Sequence, residues 1–301
     1  MNNENYVGVV NLLKPPGMSS HSAVNAMRKI FDTKKVGHTG TLDPGAAGVL
    51  PICIGRATRI SEYLMEKQKE YYAEIIFGFS TDTYDSYGEI AECSNEVVDI
   101  ETLKNAVTNV TGEIEQNIPP YSAKKVNGQK LYDLARKGKA IDNITKKVTI
   151  SSITVVEQIQ KNTFLLKIEC SMGTYIRAIC NDLGKIIGIP AHMGMLIRTK
   201  SGDFYIENSY TIDELKLIKE NLELDKVLIS MDKALNAYPI INIHNTFKKY
   251  VENGRKVPVE NSEIEQDKLG KNLYICFCDN VFYGIAKIEN DLICFEKLLN
   301  V

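Results

Sequence analysis

A glycine-rich segment at residues 37–48 constrains the fold of this 301-residue chain more than any other feature. Its four glycines permit sharp backbone turns and close approach of the backbone to a ligand. Pro44 fixes the dihedral directly after Asp43, and so it limits the directions in which this carboxylate can point. The apolar residues 49–54 follow at once and are typical of a buried strand. The sequence therefore predicts a loop that aims Asp43.

Two simpler interpretations of this segment compete with a functional one. An isolated Asp-Pro-Gly sequence most often forms a surface turn with an Asx-type aspartate. A phosphate-binding loop needs Lys and then Ser or Thr, but Ala46 and Ala47 follow Gly45, so this class of site is excluded. A turn alone has no need of both His38 and Asp43 within so long a glycine-rich run, which favours a functional loop.

Composition narrows the class of protein. With 301 residues, 44% of them apolar, the chain can form one large domain and a small one around a proper core. No apolar run approaches the ~20 residues that span a bilayer, and the first residues lack a signal-peptide pattern. We therefore expect a cytoplasmic protein without a membrane partner. The seven cysteines include no C-x-x-C pair, which predicts reduced thiols and no metal site.

Charge is distributed unevenly along the chain. The net charge is −2, but residues 121–147 hold eight Lys or Arg against two acids, a local net of +6 that leaves −8 elsewhere. A basic element on an acidic body suits an RNA partner, because cations replace the counterions of phosphates. A solvated helix face is the alternative. The candidate phosphate-binding residues in this segment are Lys124, Lys125, Lys130, Arg136, Lys137 and Lys139.

The glycine-rich segment closely resembles the catalytic motif of the bacterial tRNA pseudouridine-55 synthases, the TruB family. The family pattern is G-H-T-G-x-L-D-P-x-A-x-G followed by L-P-I-C-x-G, and every fixed position is present here. The resemblance implies that Asp43 is the catalytic residue. It also implies that His38 fills the space left in the RNA or contacts the displaced nucleotide. The implied activity is that of an isomerase that converts uridine at position 55, in the T-arm of tRNA, to pseudouridine without a cofactor.

Further segments extend the resemblance. Residues 14–20 resemble K-P-x-G-M-S-S, which makes Lys14 a candidate for holding RNA or the catalytic loop, although a plain surface lysine is equally compatible. The pattern Y-x₆-G before T-D-T places the family's active-site tyrosine at Tyr71, and Tyr72 should point to the opposite face of the strand. The segment S-x-G-T-Y-I-R supplies Tyr175 and Arg177.

The pattern A-H-x-x-x-L-R-R places Leu196 in a pocket wall and leaves Arg198 as a phosphate contact. Ile197 stands where the family usually has arginine, so one phosphate contact of the family is absent here.

An arginine at position 177 would lie in the first turn of a helix that begins near Thr174, at the unfavourable end of the dipole. It therefore needs a local anion, and Asp43 is the natural one.

Two acids, Asp82 and Asp85, lie in the T-D-T-x-D segment that follows the strand of Tyr71. With Asp43 they suggest the paired carboxylates of a glycosidase, but turn aspartates that accept hydrogen bonds from the backbone explain them better.

In the mechanism that the resemblance implies, the target base leaves the stack, Tyr71 stacks on it, and Leu196 and Tyr175 close the pocket. Asp43 could attack the sugar, attack the base or remove a sugar proton.

We therefore expect an α+β catalytic domain at residues 1–231, built on a mixed, largely antiparallel sheet of the pseudouridine synthase type with flanking helices. The basic RNA-gripping insertion lies at about residues 121–147. Residues 232–301 are predicted to form a small β-rich, PUA-like RNA-binding domain. The expected partner is the tRNA T-arm stem-loop, bound by a monomer without an obligate protein partner. A non-catalytic tRNA-binding or folding protein and a synthase acting on ribosomal RNA are the alternatives.

Patterning also predicts individual elements. Strands are expected at residues 6–13, 70–79, 148–156, 163–170, 273–278, 281–288 and 292–298. One helix should begin at Ser19 or Ser20, another is expected at residues 58–65, and a third should be capped by Asp99. Asp279 and Asn280 are typical of a tight hairpin turn.

Overall fold

The structure is a computed structural model that describes residues 6–119, 121–122, 125–126, 129–130, 144–264 and 272–299. Its strands, in chain order, are β1 (Gly8–Lys14), β2 (Val36–His38), β3 (Ala47–Ile54), β4 (Lys69–Phe77), β5 (Phe79–Thr81), β6 (Ile90–Cys93), β7 (Gly112–Asn117), β8 (Lys125–Val126), β9 (Gln129–Lys130), β10 (Thr145–Gln160), β11 (Thr163–Cys170), β12 (Ala191–Ser201), β13 (Phe204–Tyr205), β14 (Ile240–Ile243), β15 (Val257–Pro258), β16 (Ser262–Ile264), β17 (Tyr274–Cys278), β18 (Val281–Glu289) and β19 (Leu292–Leu298). The α-helices are α1 (Ser20–Ile30), α2 (Ser61–Met65), α3 (Ile100–Val107), α4 (Ile176–Ile187), α5 (Ile212–Glu220), α6 (Met231–Ala234) and α7 (Lys248–Glu252).

A nine-stranded sheet forms the centre of the larger part of the chain. Its strand order is β1-β3-β12-β4-β11-β10-β7, with β2 paired to β3 and β13 paired to β12. The β3–β12 pair is parallel, and its neighbours β1–β3, β12–β4 and β4–β11 are antiparallel. The predicted α+β class with a mixed, largely antiparallel sheet is therefore confirmed.

Local sequence signals explain where two of the helices begin. The side chain of Ser19 accepts a hydrogen bond from the backbone nitrogen of Ser22 at 3.0 Å and caps α1. The side chain of Asp99 accepts one from the nitrogen of Thr102 at 2.8 Å and caps α3. Each side chain satisfies a backbone donor that has no partner within its helix.

Helices α1, α3, α4 and α5 cover one face of the nine-stranded sheet, and their apolar sides fill the main core. On the opposite face, Val9 of β1 and Val49 of β3 pack in a second cluster with Tyr63 of α2. This second cluster also contains Ile275 and Ile285 from the C-terminal part of the chain, so that part lies against the back of β1 and β3.

The C-terminal residues form a separate six-stranded sheet in the order β15-β19-β18-β17-β14-β16. The turn between β17 and β18 places Asp279 and Asn280 at φ values of 55° and 57°, as a tight hairpin requires. Cys276 and Cys278 are buried on β17 among apolar neighbours, where they pack as small hydrophobic residues. Within the described ranges, no helix combines the length and apolarity needed to cross a membrane.

Candidate active site

The Asp43 loop runs between β2 and β3 and is fixed to the start of α1. The hydroxyl of Ser20 donates to the carbonyl of Leu42, and the nitrogen of Leu42 donates to the same hydroxyl, both at 2.9 Å. The nitrogen of Gly17 donates to the carbonyl of Pro44 at 2.8 Å. The residues on both sides of Asp43 are therefore hydrogen-bonded to the β1–α1 connection, which holds the carboxylate in place.

Asp43 lines an open cavity of about 350 Å³. This volume is within the range of about 300–1,000 Å³ that is typical of small-ligand sites. Five more of the residues predicted from sequence line the same cavity: Tyr71, Tyr175, Arg177, Leu196 and Arg198. They come from β4, the turn before α4, α4 itself and β12, so the sheet and the helix together assemble the site from distant parts of the chain.

Arg177 lies beside Asp43 in the first turn of α4. Its Nε is 3.4 Å from Oδ2 of Asp43, a close ion pair whose angle does not satisfy a hydrogen bond. Its Nη1 donates to the carbonyl of Thr83 at 2.8 Å and its Nη2 to the carbonyl of Tyr121 at 2.7 Å. The guanidinium is buried, whereas Asp43 is 41% exposed. The arginine is thus clamped by two backbone carbonyls with one edge facing the carboxylate.

Tyr71 forms part of the cavity wall, and its neighbour Tyr72 does not line this cavity. Residues of β4 alternate between buried and half-exposed positions, because successive side chains of a strand point to opposite faces. Burial raises the pKa of the Tyr71 phenol, and the nearby positive charge of Arg198 acts in the opposite direction. The phenol therefore presents a neutral ring to the cavity at neutral pH.

Arg198 is buried, which does not fit the phosphate contact expected from sequence. Its Nε donates to the carbonyl of Val49 at 2.7 Å and its Nη2 to the carbonyl of Gly40 at 3.2 Å. On β12 it is the direct neighbour of Gly48 on one side and of Tyr71 on the other. The arginine therefore ties the loop to the strands beneath it, and it is reached only from the cavity that also contains Asp43.

Lys14 is also buried, so its expected contact with RNA does not fit the structure either. Its Nζ donates to the carbonyls of Pro15 at 2.9 Å, Met18 at 2.7 Å and Pro44 at 3.4 Å. Burial lowers the pKa of this ammonium group to about 8; the charge of Asp43 raises it and that of Arg198 lowers it. The sequence left two roles open for Lys14, contact with RNA or support of the loop. Its hydrogen bonds fit support of the loop that carries Asp43.

His38 lies at the base of the loop and is absent from the lining of the cavity. Its Nδ1 accepts a hydrogen bond from the nitrogen of Gly40 at 3.3 Å, which helps to shape the first turn of the loop. Burial lowers the pKa of the imidazole, and the charges of Arg198 and His21 lower it further. The ring is therefore neutral at physiological pH, in agreement with its role as an acceptor for Gly40.

Asp82 and Asp85 hold a turn next to the site. Oδ1 of Asp85 accepts hydrogen bonds from the hydroxyl of Thr83 at 2.6 Å and the nitrogen of Tyr87 at 3.0 Å. Oδ1 of Asp82 accepts from the nitrogen of Glu89 at 2.9 Å, and its Oδ2 accepts from the hydroxyl of Tyr121 at 3.0 Å. Their carboxylates are engaged in turn contacts, which fits the structural role predicted for them.

Lys124, Arg136, Lys137 and Lys139 lie outside the described residues. Lys125 and Lys130 are described only through the backbone, where β8 pairs with β9. Their predicted contacts with phosphate stay predictions.

Among the residues that sequence reasoning missed are two lysines that line the cavity, Lys69 and Lys146. Burial lowers the pKa of Lys69 to about 8, and its Nζ donates to the carbonyls of Met65 and Lys67 at the end of α2. Lys69 is two positions before Tyr71, so the alternation of a strand could have placed both on one face. Lys146 donates to the carbonyl of Met172 at 3.4 Å. No sequence pattern around Lys146 indicates that it faces the cavity.

A mixed sheet whose Asp-bearing loop faces a clamped arginine and a buried tyrosine defines the class of pseudouridine synthases. Comparison of sequences identifies the family. Residues 28–176 match the N-terminal domain of the TruB family pseudouridylate synthases, and residues 177–236 match the C-terminal domain of tRNA pseudouridylate synthase B. The chain belongs to the TruB family.

Relatives with curated names cover nearly the whole chain. The tRNA pseudouridine synthase B of Caldanaerobacter subterraneus subsp. tengcongensis is 46% identical over 97% of this chain and 98% of its own length. That of Clostridioides difficile is 44% identical over 93% of this chain and 94% of its own. Among solved structures, a chain of a Cbf5-Nop10-Gar1 complex has a TM-score of 0.74 and 27% identity, over 97% of this chain and 85% of that one.

Proposed function

We propose that this chain isomerises one uridine in the T-arm of tRNA, at position 55, to pseudouridine. The observation that carries the proposal is the Asp43–Arg177 pair, which lies in an open cavity with Tyr71 and Leu196 in its walls. Relatives that align along nearly its whole length are named tRNA pseudouridine synthases, which supports tRNA as the substrate. A tRNA substrate also fits the cytoplasm as the place of action.

The reaction exchanges one glycosidic bond for another. The bond between C1′ of the ribose and N1 of uracil breaks, the base turns, and a bond forms between C1′ and C5. The hydrogen leaves C5 for solvent, and N1 gains a proton, so the product has the composition of the substrate. Attack of Asp43 on the sugar, its attack on the base and its removal of a sugar proton all use the carboxylate in its ionised form. The guanidinium of Arg177 places a fixed positive charge beside it.

The target uridine must leave the helical stack before its glycosidic bond can reach Asp43. In the proposed complex the uracil stacks on the buried ring of Tyr71, and Leu196 and Tyr175 close the pocket around it. The phenol of Tyr71 suits this contact, because its flat aromatic ring can stack on the base. His38, below the loop, is proposed to contact the displaced nucleotide or fill the space it leaves.

The RNA grip is proposed to lie outside the cavity. Residues 1–231 would form the catalytic domain, with the basic insertion at about residues 121–147 contacting phosphates through its Lys and Arg side chains. Residues 232–301 would form a PUA-like RNA-binding domain on the six-stranded sheet. Lys14 and Arg198 support the loop in this scheme and do not contact phosphate.

The test is release of tritium from T-arm RNA that carries uridine labelled at C5, with the purified chain alone. We expect the unmodified chain to release tritium and Asp43→Asn to release none, with RNA affinity within a few fold because the shape of the side chain is kept. A purified chain that binds tRNA but releases no tritium would instead show a non-catalytic binding protein. Release of tritium from ribosomal RNA and not from T-arm RNA would show that the proposed substrate is wrong. Activity that depends on an added protein would contradict the expectation that the chain acts without a partner.

A further inference from the structure

A buried glutamine on β7 connects this strand to the start of α4. Only 1% of Gln116 is exposed, although glutamine is rarely buried fully. Its Nε2 donates a hydrogen bond to the carbonyl of Tyr175 at 3.0 Å, and its Oε1 accepts one from the nitrogen of Tyr175 at 2.8 Å. A single side-chain amide therefore bonds both backbone groups of one residue, which lies 59 positions further along the chain.

This pairing completes a helix start that has no cap of its own. Tyr175 is the N-cap residue of α4, and its side chain makes no capping hydrogen bond. In a capping box, a Glu or Gln at the third helical position bonds the nitrogen of the N-cap residue, but Ala178 holds that position here. Gln116 supplies this acceptor from another element, and its amide also donates to the carbonyl that begins the helical hydrogen bonds of α4.

Two residues of the cavity that contains Asp43 depend on where α4 begins. Tyr175 and Arg177 both line this cavity, and the guanidinium carbon of Arg177 lies 5.9 Å from the centre of the Tyr175 ring. The φ and ψ of Tyr175 are −98° and 106°, so the chain changes from an extended to a helical conformation directly after it. A shift of the Tyr175 backbone would therefore move both the ring and the guanidinium.

The other side of the contact lies at the base of the basic insertion. Gln116 is opposite Lys146 in the register of β7 and β10, and these two strands flank the insertion. The carbonyl of Tyr121, which follows β7, accepts a hydrogen bond from Arg177 at 2.7 Å. The segment that leads into the insertion thus contacts α4 at two points, the backbone of Tyr175 and the guanidinium of Arg177.

We propose that Gln116 is a positioning residue for the isomerisation, which fixes Tyr175 and, through the start of α4, Arg177 in the geometry that a bound uridine requires. This inference rests on the proposed function, because it assumes that these two residues act on a uridine beside Asp43. Gln116 does not line the cavity, so it acts through the backbone of Tyr175 and touches no reacting atom. A group misplaced by about 1 Å can slow a reaction by about 100-fold, which gives such a clamp control over the rate.

The test compares the loss of the amide with a change on the same strand that removes packing alone. Gln116→Met keeps the length of the side chain and removes both hydrogen bonds. Ile114→Ala, on the same face of β7, removes packing against the main core and leaves the amide in place. Single-turnover tritium release from T-arm RNA, measured against enzyme concentration, gives a rate at saturation and an apparent Kd for each protein. Thermal unfolding gives their stabilities.

Gln116→Met should reduce the rate at saturating enzyme by about 10- to 100-fold and change the apparent Kd by less than about threefold. Ile114→Ala should lower the thermal stability and leave the rate at saturation within about twofold of that of the unmodified chain.

Gln116→Glu separates the two hydrogen bonds. A carboxyl group at this position accepts from the nitrogen of Tyr175 in both protonation states, but only the protonated form also donates to the carbonyl. Burial raises the pKa of such a carboxyl, and the positive charges of Lys146 and Arg177 act in the opposite direction. Between pH 8 and 5.5, the rate of this variant divided by that of the unmodified chain should rise as the pH falls. The matched variant Gln158→Glu, at an exposed position on β10, should give a constant ratio.

An unchanged rate in Gln116→Met would overturn the proposal. An equal loss of rate in Ile114→Ala would overturn it as well, because Gln116 would then only support the fold. If Gln116→Met does not fold, the pH dependence of Gln116→Glu decides, and a ratio that stays constant with pH counts against the clamp. These results leave the proposed function intact, since the unmodified chain still releases tritium. Absence of tritium release by the unmodified chain would instead refute the proposed function and this inference together.

Discussion

The ammonium group of Lys14 donates a hydrogen bond to the carbonyl of Pro44, so the last residue of β1 is tied to the residue that follows Asp43. The two positions are 30 residues apart in sequence. They meet because β1 pairs with β3 in a register that places Lys14 opposite Gly48, at the end of the loop. A buried cation thus holds the backbone of the loop that carries Asp43.

Lys14→Met should slow the chemical step without greatly weakening RNA binding. The apolar side chain would remove the donor of the Pro15 and Met18 carbonyls and one of the two donors of the Pro44 carbonyl, and each buried unsatisfied group costs roughly 1–3 kcal/mol. If one such cost appears as misplacement of Asp43, the single-turnover rate should fall by about 10- to 100-fold. Lys34→Met, at an exposed position, is the control. An unchanged rate in Lys14→Met would show that the loop holds its shape without the lysine.

The stability of the protein should depend on pH through the same residue. The pKa of Lys14 is lowered to about 8 in the folded chain, whereas an unfolded lysine has a pKa of about 10.4. Between these values the unfolded chain binds more protons, so rising pH favours the folded state. The free energy of unfolding of the unmodified chain, relative to Lys14→Met, should therefore be constant below about pH 8 and increase toward pH 10. Urea titrations of both proteins at pH 7 and 9.5 measure it, and a relative decrease at pH 9.5 would contradict the assignment.

Sequence patterns predicted the helix boundaries and the residue contacts that depend on local chemistry. Asp99 was recognised as a helix cap because its side chain acts on the first turn after it, and the pairing of Arg177 with Asp43 followed from the charge of a helix end. The choice of Tyr71 over Tyr72 followed from the family pattern Y-x₆-G, and strand alternation then placed Tyr72 on the opposite face.

Sequence patterns did not predict which charged side chains are buried. Lys14 and Arg198 are cations in polar motifs, and such residues are rarely buried fully, so an RNA contact was the natural expectation. Both are buried because each is the direct neighbour of Gly48, on β1 and on β12 respectively, where the loop joins the sheet. That arrangement requires a parallel pairing of strands almost 150 residues apart, which no local pattern encodes.

Arg177→Lys should reduce the single-turnover rate by about 100-fold or more, which corresponds to ~2.7 kcal/mol. Lysine keeps the positive charge, but it cannot reach Asp43 and the carbonyls of Thr83 and Tyr121 at once, as the planar guanidinium does. Arg59→Lys, at an exposed position, serves as the control. Full activity of Arg177→Lys would show that charge alone is sufficient at this position.

Gly48→Ala should destabilise the protein far more than an equivalent change at Gly112. Both glycines have positive φ, 112° and 99°, so alanine is strained at either position. A Cβ at Gly48 would also lie 2.2 Å from the carbonyl oxygen of Arg198, whereas nothing lies within 4 Å of one at Gly112. We expect a loss of roughly 1–3 kcal/mol for Gly112→Ala from strain alone, and a larger loss or failure to fold for Gly48→Ala. Equal thermal unfolding of the two variants would contradict the close approach of β3 and β12.

The basic insertion should determine how steeply RNA binding depends on salt. Each phosphate contact that is lost reduces the slope of log affinity against log salt by about 0.9 on duplex, or ~0.7 on single strands. Replacement of Lys124, Lys125 and Lys130 by glutamine should therefore reduce the slope by roughly two to three and weaken binding at low salt. The rate at saturating enzyme should change little, because phosphate contacts position the RNA and do not act on the glycosidic bond.

The matched control for this variant is a triple glutamine replacement at exposed lysines outside the insertion, Lys34, Lys216 and Lys226. It removes the same charge from the whole protein, so a long-range effect of net charge would appear in both variants, whereas a local contact would appear in the first alone. An equal slope for the two variants would show that the insertion is a solvated basic surface. The phosphate contacts would then have to lie elsewhere, and the six-stranded C-terminal sheet, which packs against the back of β1 and β3, would be the next surface to test.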